Sequence, residues 1–393
     1  MKRFTLPRDV YYGRGSMKVL RTLDGAKAVI VTGGRSMKET GVLDLAETYL
    51  RDAGMHVLIF DGVEPDPSVE TVMRGAEQMR RFRPDWIVAL GGGSPLDAAK
   101  AMWAFYEHPE ATFEQLLVPF SFPKLRERAR FAAIPSTSGS ASEVTAFSVI
   151  TDYSAGVKYP LADYEITPDI AIVDPDIALT MPPTLAAHTG MDALTHAVEA
   201  YVSLLAGPFT DPLALKAIYM VFAYLGASVK GDEAAREQMH YASAIAGMAF
   251  SNALLGICHS LAHKTGAAFA TGHIPHGCAN AIFLPVVIRY NAKNPGAKTR
   301  YADIARGLGL TMGAKEGEDD LVGALCDKIA ALRAALGIPG TLHAFGIERE
   351  EFEHKLKEIA LLAVKDACTG SNPQPVAPEA MEAILREAYG DEG

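Results

Sequence analysis

The amino-acid sequence predicts an α/β domain with a parallel sheet, followed by a domain built only of helices. In the first half of the chain, short β-branched segments that end in turn residues alternate with amphipathic segments. This order is typical of a parallel sheet covered by helices. After Met181, Pro182 and Pro183 the β-branched segments stop and long alanine- and leucine-rich segments follow. We therefore place the first domain at residues 1–181 and the second at residues 182–393, with a cleft between them as the expected place for a ligand.

Five segments of the first domain have the composition of buried strands. Each is a hydrophobic run that ends in turn-forming residues. Between the first two, TGVLDLAETYLRDAG places its apolar residues on one helical face and ends at Gly54, which predicts an amphipathic helix. The predicted strands are AKAVIVTGG from Ala26, HVLIFDG from His56, DWIVALGGGS from Asp85, FAAIPSTS from Phe131 and DIAIVDP from Asp169.

The second domain contains four long segments with helical periodicity. They are rich in alanine and leucine, and their apolar residues recur every three or four positions. The predicted helices are LAAHTGMDALTHAVEAYVSLLAG from Leu185, DPLALKAIYMVFAYLGASV from Asp211, LVGALCDKIAALRAAL from Leu321 and EREEFEHKLKEIALLAV from Glu348.

The composition is that of a globular protein with a surplus of acidic residues. Lys and Arg number 37 against 47 Asp and Glu, a net charge of −10, so a nucleic-acid partner is not expected. The N-terminus has no apolar signal segment, and no run approaches the roughly eighteen uninterrupted apolar residues of a membrane helix. Four scattered cysteines indicate reduced thiols. We expect a soluble cytoplasmic protein that does not bind membranes.

WIVALGGGSPLDAAKAMW is the strongest motif of the first domain. A hydrophobic strand leads into Gly91, Gly92 and Gly93, and Ser94 and Pro95 then open a helix, with Ser94 expected as the cap. Glycines let a diphosphate approach the backbone, and the helix N-terminus offers free N–H donors. The motif predicts a phosphate-binding loop; a tight strand-to-helix turn is the alternative.

A second, hydroxyl-rich turn follows the next strand in IPSTSGSASEVT. The hydroxyls of Ser136, Thr137 and Ser138 are candidates for hydrogen bonds to a cofactor. Ser140 and Glu143 fit a capping box, S-x-x-E, so this part of the turn also has a purely structural interpretation.

The loop VTGGRSMK after the first strand bears on the choice of nicotinamide cofactor. An acidic residue that binds the adenine ribose favours NAD, whereas a basic residue accommodates the 2′-phosphate of NADP. Gly33 and Gly34 supply no carboxylate, and Arg35, Ser36 and Lys38 are candidates to bind a phosphate. The sequence favours NADP(H) over NAD(H); a solvated turn is the alternative.

The second domain carries a constellation suited to a metal ion. Asp192 and His196 are four residues apart in a helical context, as are His259 and His263, so each pair lies on one helix face. His276 follows in the constrained turn IPHG. A carboxylate with imidazoles suits Fe, Zn, Ni or Co better than Ca or Mg. The alternative is a set of hydrogen-bonded histidines.

These motifs together resemble the iron-dependent, group III alcohol dehydrogenases over essentially the whole chain. GGGSPLDAAK, SGSASEVT, GMDALTHAVEAY, CHSLAHK and IPHGCANAIFLP match that family in order. YEHPEATFEQL and KYPLADYEITPDIAIVDP look like the alcohol dehydrogenase half of bifunctional aldehyde–alcohol dehydrogenases. The resemblance implies a Rossmann-like sheet with a helical domain in a dehydroquinate synthase-like architecture. It also implies reversible hydride transfer between NAD(P)(H) and a primary alcohol or aldehyde, with Fe²⁺ (Zn²⁺ as the other candidate) in a homo-oligomer of at least two copies.

The resemblance assigns roles within the histidine cluster. Its ligand positions fall on Asp192, His196, His259 and His276, and His263 becomes a pocket residue that we expect to relay the alcohol proton. The segment before His276 is about three residues longer than in the family, with ATG ahead of HIPHG. His273 is therefore the alternative to His276 as the fourth ligand.

Three further positions follow from the resemblance. Asp97 and Lys158 match family positions and are expected on the cofactor side. The alternative for Asp97 is support of the turn, and the alternative for Lys158 is a surface charge. The family's usual N-P-R near the C-terminus is N-P-Q here, with Gln374.

Two other functions remain open at this stage. Glycerol dehydrogenases and dehydroquinate synthases share the expected architecture and usually take zinc and polar substrates, so turnover of glycerol against 1-butanol separates them from the first interpretation. A metal- or nucleotide-binding sensor without catalysis is the alternative from another class, and it predicts nucleotide binding without turnover.

Overall fold

The computed structural model describes residues 3–154, 157–270, 272–310 and 317–390. The chain separates into two compact units, Met1–Met181 and Pro182–Gly393. The first unit is built around a parallel sheet and the second from helices alone, which confirms the predicted fold class.

The first unit contains a six-stranded parallel sheet in the order β1-β8-β5-β4-β2-β3 and a separate antiparallel hairpin, β6-β7. The strands are β1 Asp9–Tyr12, β2 Lys27–Gly33, β3 His56–Val63, β4 Trp86–Gly91, β5 Arg130–Pro135, β6 Phe147–Asp152, β7 Val157–Ala162 and β8 Ile170–Val173. The helices are α1 Ser36–Glu39, α2 Val42–Asp52, α3 Val69–Phe82, α4 Gly93–Glu107, α5 Phe113–Leu116 and α6 Pro175–Ala178.

Hydrophobic cores lie on both faces of the large sheet. On one face, α3 and α4 contribute Met79 and Met102; on the other, α2 contributes Leu43 and Leu50. Because both faces are covered, the central strand β4 is buried along its whole length and its sequence is apolar throughout.

All five predicted strands are present, as β2, β3, β4, β5 and β8. β1 and the hairpin β6-β7 were not predicted. β2, β4 and β5 are parallel neighbours, so the turns that follow them lie at the same edge of the sheet, the usual ligand edge of such folds.

The second unit consists of ten α-helices in the described part of the chain. They are α7 Pro183–Val202, α8 Asp211–Val229, α9 Glu233–Ala253, α10 Ile257–Thr265, α11 His276–Asn291, α12 Pro295–Gly307, α13 Glu318–Ala335, α14 Leu342–Phe345, α15 Arg349–Val364 and α16 Pro378–Tyr389. The four predicted helices correspond to α7, α8, α13 and α15.

α7 ends five residues earlier than the sequence predicts. Ser203 is extended, with φ −55° and ψ 149°, and its hydroxyl donates to the carbonyl oxygen of Ala253 at the end of α9. This bond competes with helical continuation, as serine hydroxyls often do.

By length and composition alone, α8 could cross a membrane, and α9 and α10 pass the same test together across a 105° bend. Lys216 interrupts the apolar sequence of α8, so this helix is not an uninterrupted apolar run of the kind that predicts a membrane helix. A core helix of a globular protein also satisfies this looser test.

Candidate active site

Three helices of the second unit bring four predicted ligands together. α7 carries Asp192 and His196, α10 carries His259, and α11 begins with His276. The Oδ1 atom of Asp192 lies 3.4 Å from Nε2 of His276, 3.6 Å from Nε2 of His259 and 4.0 Å from Nε2 of His196. The carboxylate is therefore the common neighbour of all three imidazoles.

This spacing fits a small divalent ion. Ligand atoms about 2.1 Å from a tetrahedral metal lie about 3.4 Å from one another, close to the separations around Asp192. Asp192, His259 and His276 form the tightest group, with all their ligand atoms within 4.8 Å of one another. One carboxylate with imidazole nitrogens is a donor set suited to iron or zinc.

The cluster is open on one side. The side chains of Asp192, His196 and His259 are 9%, 6% and 1% exposed, whereas those of His276 and His263 are 41% and 30% exposed. Within the cluster, His276 and His263 therefore form the side that is accessible to a small molecule.

The electrostatics of the cluster differ from residue to residue. Burial opposes ionisation of Asp192, but the surrounding imidazoles hold its pKa well below the usual range. Burial also opposes protonation of His259, yet the carboxylates of Glu199 and Asp192 raise its pKa to about 9. Desolvation lowers the pKa of His276; the Asp192 carboxylate opposes this effect, and His259 and His263 add to it.

Two contacts of the cluster escaped the sequence analysis. Glu199 is buried and lies 2.5 Å from Nδ1 of His259. The Asn280 side-chain amide donates to Oδ1 of Asp192 at 2.8 Å, and its nitrogen lies 3.2–3.3 Å from Nε2 of His259 and of His276. Helical spacing could have found both, because Glu199 is one turn beyond His196 and Asn280 is one turn beyond His276.

His263 lies beside the ligands, as predicted. Its ring stacks on His276 with centroids 5.4 Å apart, and its Nδ1 is 3.3 Å from Oδ2 of Asp366. Lys264 binds the same oxygen at 2.8 Å. Although burial opposes its ionisation, His263 and Lys264 hold the pKa of Asp366 well below its usual range, so the carboxylate anchors the exposed end of α10.

The C-terminal segment closes over the start of α10. Asn372 and Asn291 exchange side-chain hydrogen bonds of 2.8 and 3.0 Å, and Oδ1 of Asn372 also accepts from the backbone N–H of Ile257 at 3.3 Å. Gln374 takes part through its backbone oxygen, which accepts from Asn372 at 2.7 Å. In the N-P-Q motif the side chain of Asn372 therefore makes these bonds, and Pro373 and Gln374 contribute backbone oxygens that accept from Asn294 and Asn372.

His276 is the histidine that reaches Asp192, whereas His273 is exposed. Gly277 makes this possible: a Cβ there would lie 2.0 Å from the backbone oxygen of His188 in α7. Thr271, in the lengthened segment before His273, lies outside the described residues.

The predicted phosphate loop follows β4 in the first unit. Gly91 has φ +142°, and a Cβ there would lie 2.6 Å from Cγ of Pro95, so the turn requires glycine. The helix begins earlier than predicted. Gly92 is its N-cap and Gly93 its first residue, which places Ser94 inside the helix; the expectation that Ser94 caps it was wrong. The glycines let the chain turn before the serine is reached.

The hydroxyl-rich turn lies against the phosphate loop. The Cβ positions of Gly92 and Gly93 are 3.4 Å and 3.2 Å from the side chains of Thr137 and Ser140, and the backbone N–H of Ser136 donates to Gly91 at 2.8 Å. The two predicted cofactor segments are thus in contact.

The predicted capping box is absent from this turn. The short 3₁₀ helix Ser142–Val144 has Ala141 as its N-cap, in the left-handed region at φ 54°, with no side-chain cap bond. Ser140 instead lies next to Gly93, and Glu143 is buried, which raises its pKa to about 7.

The structure gives Asp97 and Lys158 supporting contacts. The Asp97 carboxylate accepts from the Ser142 hydroxyl at 2.6 Å and from the backbone N–H of Val149 at 2.9 Å. Asp97 therefore ties α4 to β6, which corresponds to its alternative as a support of the turn. Lys158 pairs with Asp66 at 2.7 Å, which corresponds to its alternative as a surface charge.

The loop between β2 and α1 remains a candidate for binding the adenosine end of a dinucleotide. Gly34, Arg35, Ser36 and Lys38 are exposed, at the same sheet edge as the phosphate loop. Gly33 has no room for a side chain, because a Cβ there would lie 2.3 Å from the backbone oxygen of Val63.

A parallel α/β unit with a glycine-rich turn and a helical unit with a carboxylate–histidine cluster define a class: metal-dependent, nicotinamide-linked dehydrogenases. Comparison with known families agrees. The family described as "Iron-containing alcohol dehydrogenase" matches residues 7–175, and "Fe-containing alcohol dehydrogenase family, C-terminal" matches residues 186–389. The chain belongs to the iron-containing alcohol dehydrogenase family, which confirms the predicted family and the predicted oxidoreductase class.

Individual relatives give the same result. The chain is 58% identical over 389 residues to an NADPH-dependent butanol dehydrogenase of Clostridium saccharobutylicum, covering 99% of this chain and 98% of that protein. It is 42% identical to a bifunctional aldehyde-alcohol dehydrogenase of Escherichia coli over 98% of this chain, which spans 46% of that longer protein. An iron-containing alcohol dehydrogenase structure from Thermococcus thioreducens superposes with TM-score 0.89 at 39% identity, covering 99% and 100% of the two chains.

Proposed function

We propose that this protein is an iron- and NADP(H)-dependent dehydrogenase that interconverts short- to medium-chain primary alcohols, such as 1-butanol, with their aldehydes. The observation that carries the proposal is the convergence of Asp192, His196, His259 and His276 on one point, with an open side at His276. The 58% identical relative is a butanol dehydrogenase, which supports this substrate class.

Asp192, His196, His259 and His276 would hold the metal. When bound, a divalent ion supplies Lewis-acid chemistry, which polarises a carbonyl oxygen and makes a hydroxyl more acidic. The residues around it bind and orient. Asn280 holds the Asp192 carboxylate, and His263, partly exposed and anchored by Asp366, is placed to pass the alcohol proton between the site and solvent.

The preference for NADP(H) rests on the loop after β2. The backbone oxygen of Val63 fills the side-chain position of Gly33, so the carboxylate that would bind the ribose of NAD is absent at this point. The exposed Arg35, Ser36 and Lys38 supply donors for a 2′-phosphate. The dependence of the 58% identical relative on NADPH supports the same choice.

Location and assembly complete the proposal. We propose a cytoplasmic enzyme, because its four cysteines are free thiols, which is typical of a reducing compartment. We also propose a homo-oligomer of at least two copies, as the family resemblance implies.

The test is butyraldehyde reduction by metal-stripped protein reloaded anaerobically with ferrous iron, with NADPH and NADH compared at equal concentration. Iron-dependent activity that favours NADPH supports the proposed reaction, the metal and the cofactor preference. Iron-dependent activity that favours NADH retains the enzyme class and rejects the cofactor preference. Activity only with zinc and glycerol would establish the polyol dehydrogenase alternative, and nucleotide binding without turnover would establish the sensor.

His263 is tested separately. We expect His263→Ala to lower kcat about 10²-fold while the iron content per chain stays that of the wild type, since His263 is not among the four ligands. Unchanged kcat with an unchanged pH profile would remove the proton-relay role, and loss of iron would make His263 a ligand.

A further inference from the structure

Glu199 belongs to the same helix face as two metal ligands. It follows Asp192 and His196 on α7 at a spacing of four and then three residues, so all three side chains point the same way. All three residues are buried, and Glu199 is 3% exposed. A carboxylate at this depth requires partners for both of its oxygens.

The partners are two successive residues of another helix. Oε2 of Glu199 lies 2.5 Å from Nδ1 of His259, and Oε1 accepts from the backbone N–H of Cys258 at 2.7 Å. Cys258 is in the first turn of α10, where backbone N–H groups have no acceptor within the helix. One carboxylate therefore caps α10 and holds the ring of its metal-binding histidine.

The bond to the ring fixes which nitrogen is available to a metal. An ionised carboxylate only accepts hydrogen bonds, so Nδ1 of His259 is the donor. In the neutral ring, the form that binds a metal, the lone pair is then left on Nε2, the atom that faces Asp192 at 3.6 Å. Carboxylates in this relation to a histidine ligand set its tautomer and ring orientation.

We propose that Glu199 is a positioning residue of the metal centre, which presents Nε2 of His259 to the ion by holding Nδ1 and the start of α10 together. This inference rests on the proposed function, since it takes the cluster to be the metal centre. Glu199→Gln is the informative substitution. It keeps the shape of the side chain but leaves one acceptor oxygen for two donors.

The experiment measures Co²⁺ affinity of metal-free, full-length protein by competition with a chelator, together with the visible ligand-field absorption of the Co²⁺ complex. We expect Glu199→Gln to bind Co²⁺ about 10–100-fold more weakly than the wild type, with an altered absorption band. Glu199→Asp, which keeps the charge but is one methylene shorter, is the second variant should the first not fold; we expect a smaller loss.

Glu107→Gln is the matched control. Glu107 is 4% exposed and its carboxylate accepts from the backbone N–H groups of Glu127, Arg128 and Ala129 at 2.9–3.0 Å. It lies in the first unit, so its loss should lower the melting temperature without changing Co²⁺ affinity. A general effect of removing a buried carboxylate is thereby separated from an effect on the metal.

The outcomes separate the two proposals. If a folded Glu199 variant binds Co²⁺ with wild-type affinity and an unchanged spectrum, Glu199 does not position His259, whatever the enzyme catalyses. If wild-type protein binds Co²⁺ tightly but the iron-loaded form reduces no aldehyde, the proposed function fails while the inference about Glu199 stands on its own measurement.

Discussion

Two histidines of the candidate metal centre hold protons very differently. The pKa of His259 is raised to about 9 by Glu199 and Asp192 against the effect of burial, whereas desolvation lowers the pKa of His276. Near neutral pH the metal-free protein therefore carries a proton on His259 and none on His276. A metal ligand must be a neutral imidazole, so binding has to displace the proton from His259.

We therefore expect Co²⁺ loading at pH 7.5 to release about one proton per metal ion bound, measured with an indicator dye in weakly buffered solution. Glu199→Gln, which removes the negative charge beside His259, should reduce the release. Loading without any release would show that His259 is already neutral in the metal-free protein.

The same shift has a defined effect on stability. Because the pKa of His259 is raised on folding, its ion pair with the carboxylates stabilises the metal-free fold fully below the unfolded value of about 6.5. That contribution is lost as the pH rises through about 9. The difference in free energy of unfolding between wild-type and Glu199→Gln protein should shrink over this range.

Arg35 and Lys38 are the residues to which we assign the proposed preference for NADP(H). Replacing both with alanine should raise KM for NADPH by about 10–100-fold, the equivalent of one charge-assisted hydrogen bond, and leave KM for NADH nearly unchanged. Lys216→Ala, which removes an exposed charge in the second unit, is the control. An equal effect on both cofactors would place Arg35 and Lys38 away from the 2′-phosphate.

At the residue scale, the sequence predicted the candidate ligands that the structure brings together, but not the side chains that contact them. A carboxylate and imidazoles at helical spacing are an uncommon combination. This combination identified Asp192, His196, His259 and His276 as candidates. Glu199 and Asn280 are ordinary in composition, and their partners lie 60 and 88 residues away in the chain. Helical spacing places both on the same helix faces as the candidate ligands, but the packing of α7, α10 and α11 is needed to show which side chains they contact.

At the scale of the elements, the site requires the backbones of α7 and α11 to lie very close together at Gly277. His276 reaches Asp192 only because the first turn of α11 lies directly against α7, where a Cβ on Gly277 would be 2.0 Å from the backbone oxygen of His188. Glycine at this position is therefore a packing requirement of the metal centre.

We expect Gly277→Ala to lower the free energy of unfolding by about 1–3 kcal/mol, the usual cost of overpacking, and to weaken Co²⁺ binding by displacing His276. Urea unfolding and chelator competition measure the two effects. Gly323→Ala in α13 is the matched control, since its Cβ would have open space; it should stabilise the protein by up to about 1 kcal/mol. If Gly277→Ala behaves like this control, α7 and α11 do not pack as described.

The secondary-structure elements were predicted correctly where burial determines the amino-acid composition of the segment. β2, β3, β4, β5 and β8 are short hydrophobic runs because they lie in a covered parallel sheet. β1 is an edge strand of only four residues, half of them exposed, and its sequence DVYY has no such pattern. The hairpin β6-β7 contains Pro160 and polar residues, and its pairing depends on contacts between segments that the sequence does not display.

At the scale of the whole molecule, the change from strands to helices at Pro182 could be predicted from the sequence. It alters the period of the hydrophobic pattern along hundreds of residues. The candidate metal ligands all fall in the second unit and the glycine-rich turn in the first. The division of chemistry between the two units could thus be predicted from the sequence.

This division can be tested by unfolding, because each unit has its own optical probe. Both tryptophans, Trp86 and Trp103, are buried in the first unit, whereas the long helices that dominate circular dichroism at 222 nm lie mainly in the second.

An ion that binds only the folded second unit at 100 times its Kd stabilises it by about 2.7 kcal/mol. We expect Co²⁺ to raise the midpoint of the 222-nm transition by roughly 5–10 °C. The tryptophan transition serves as the internal comparison: a smaller shift there means that the units melt separately, and an equal shift means that they melt together. A 222-nm midpoint that does not respond to Co²⁺ would show that Asp192, His196, His259 and His276 do not form a metal site in the folded protein.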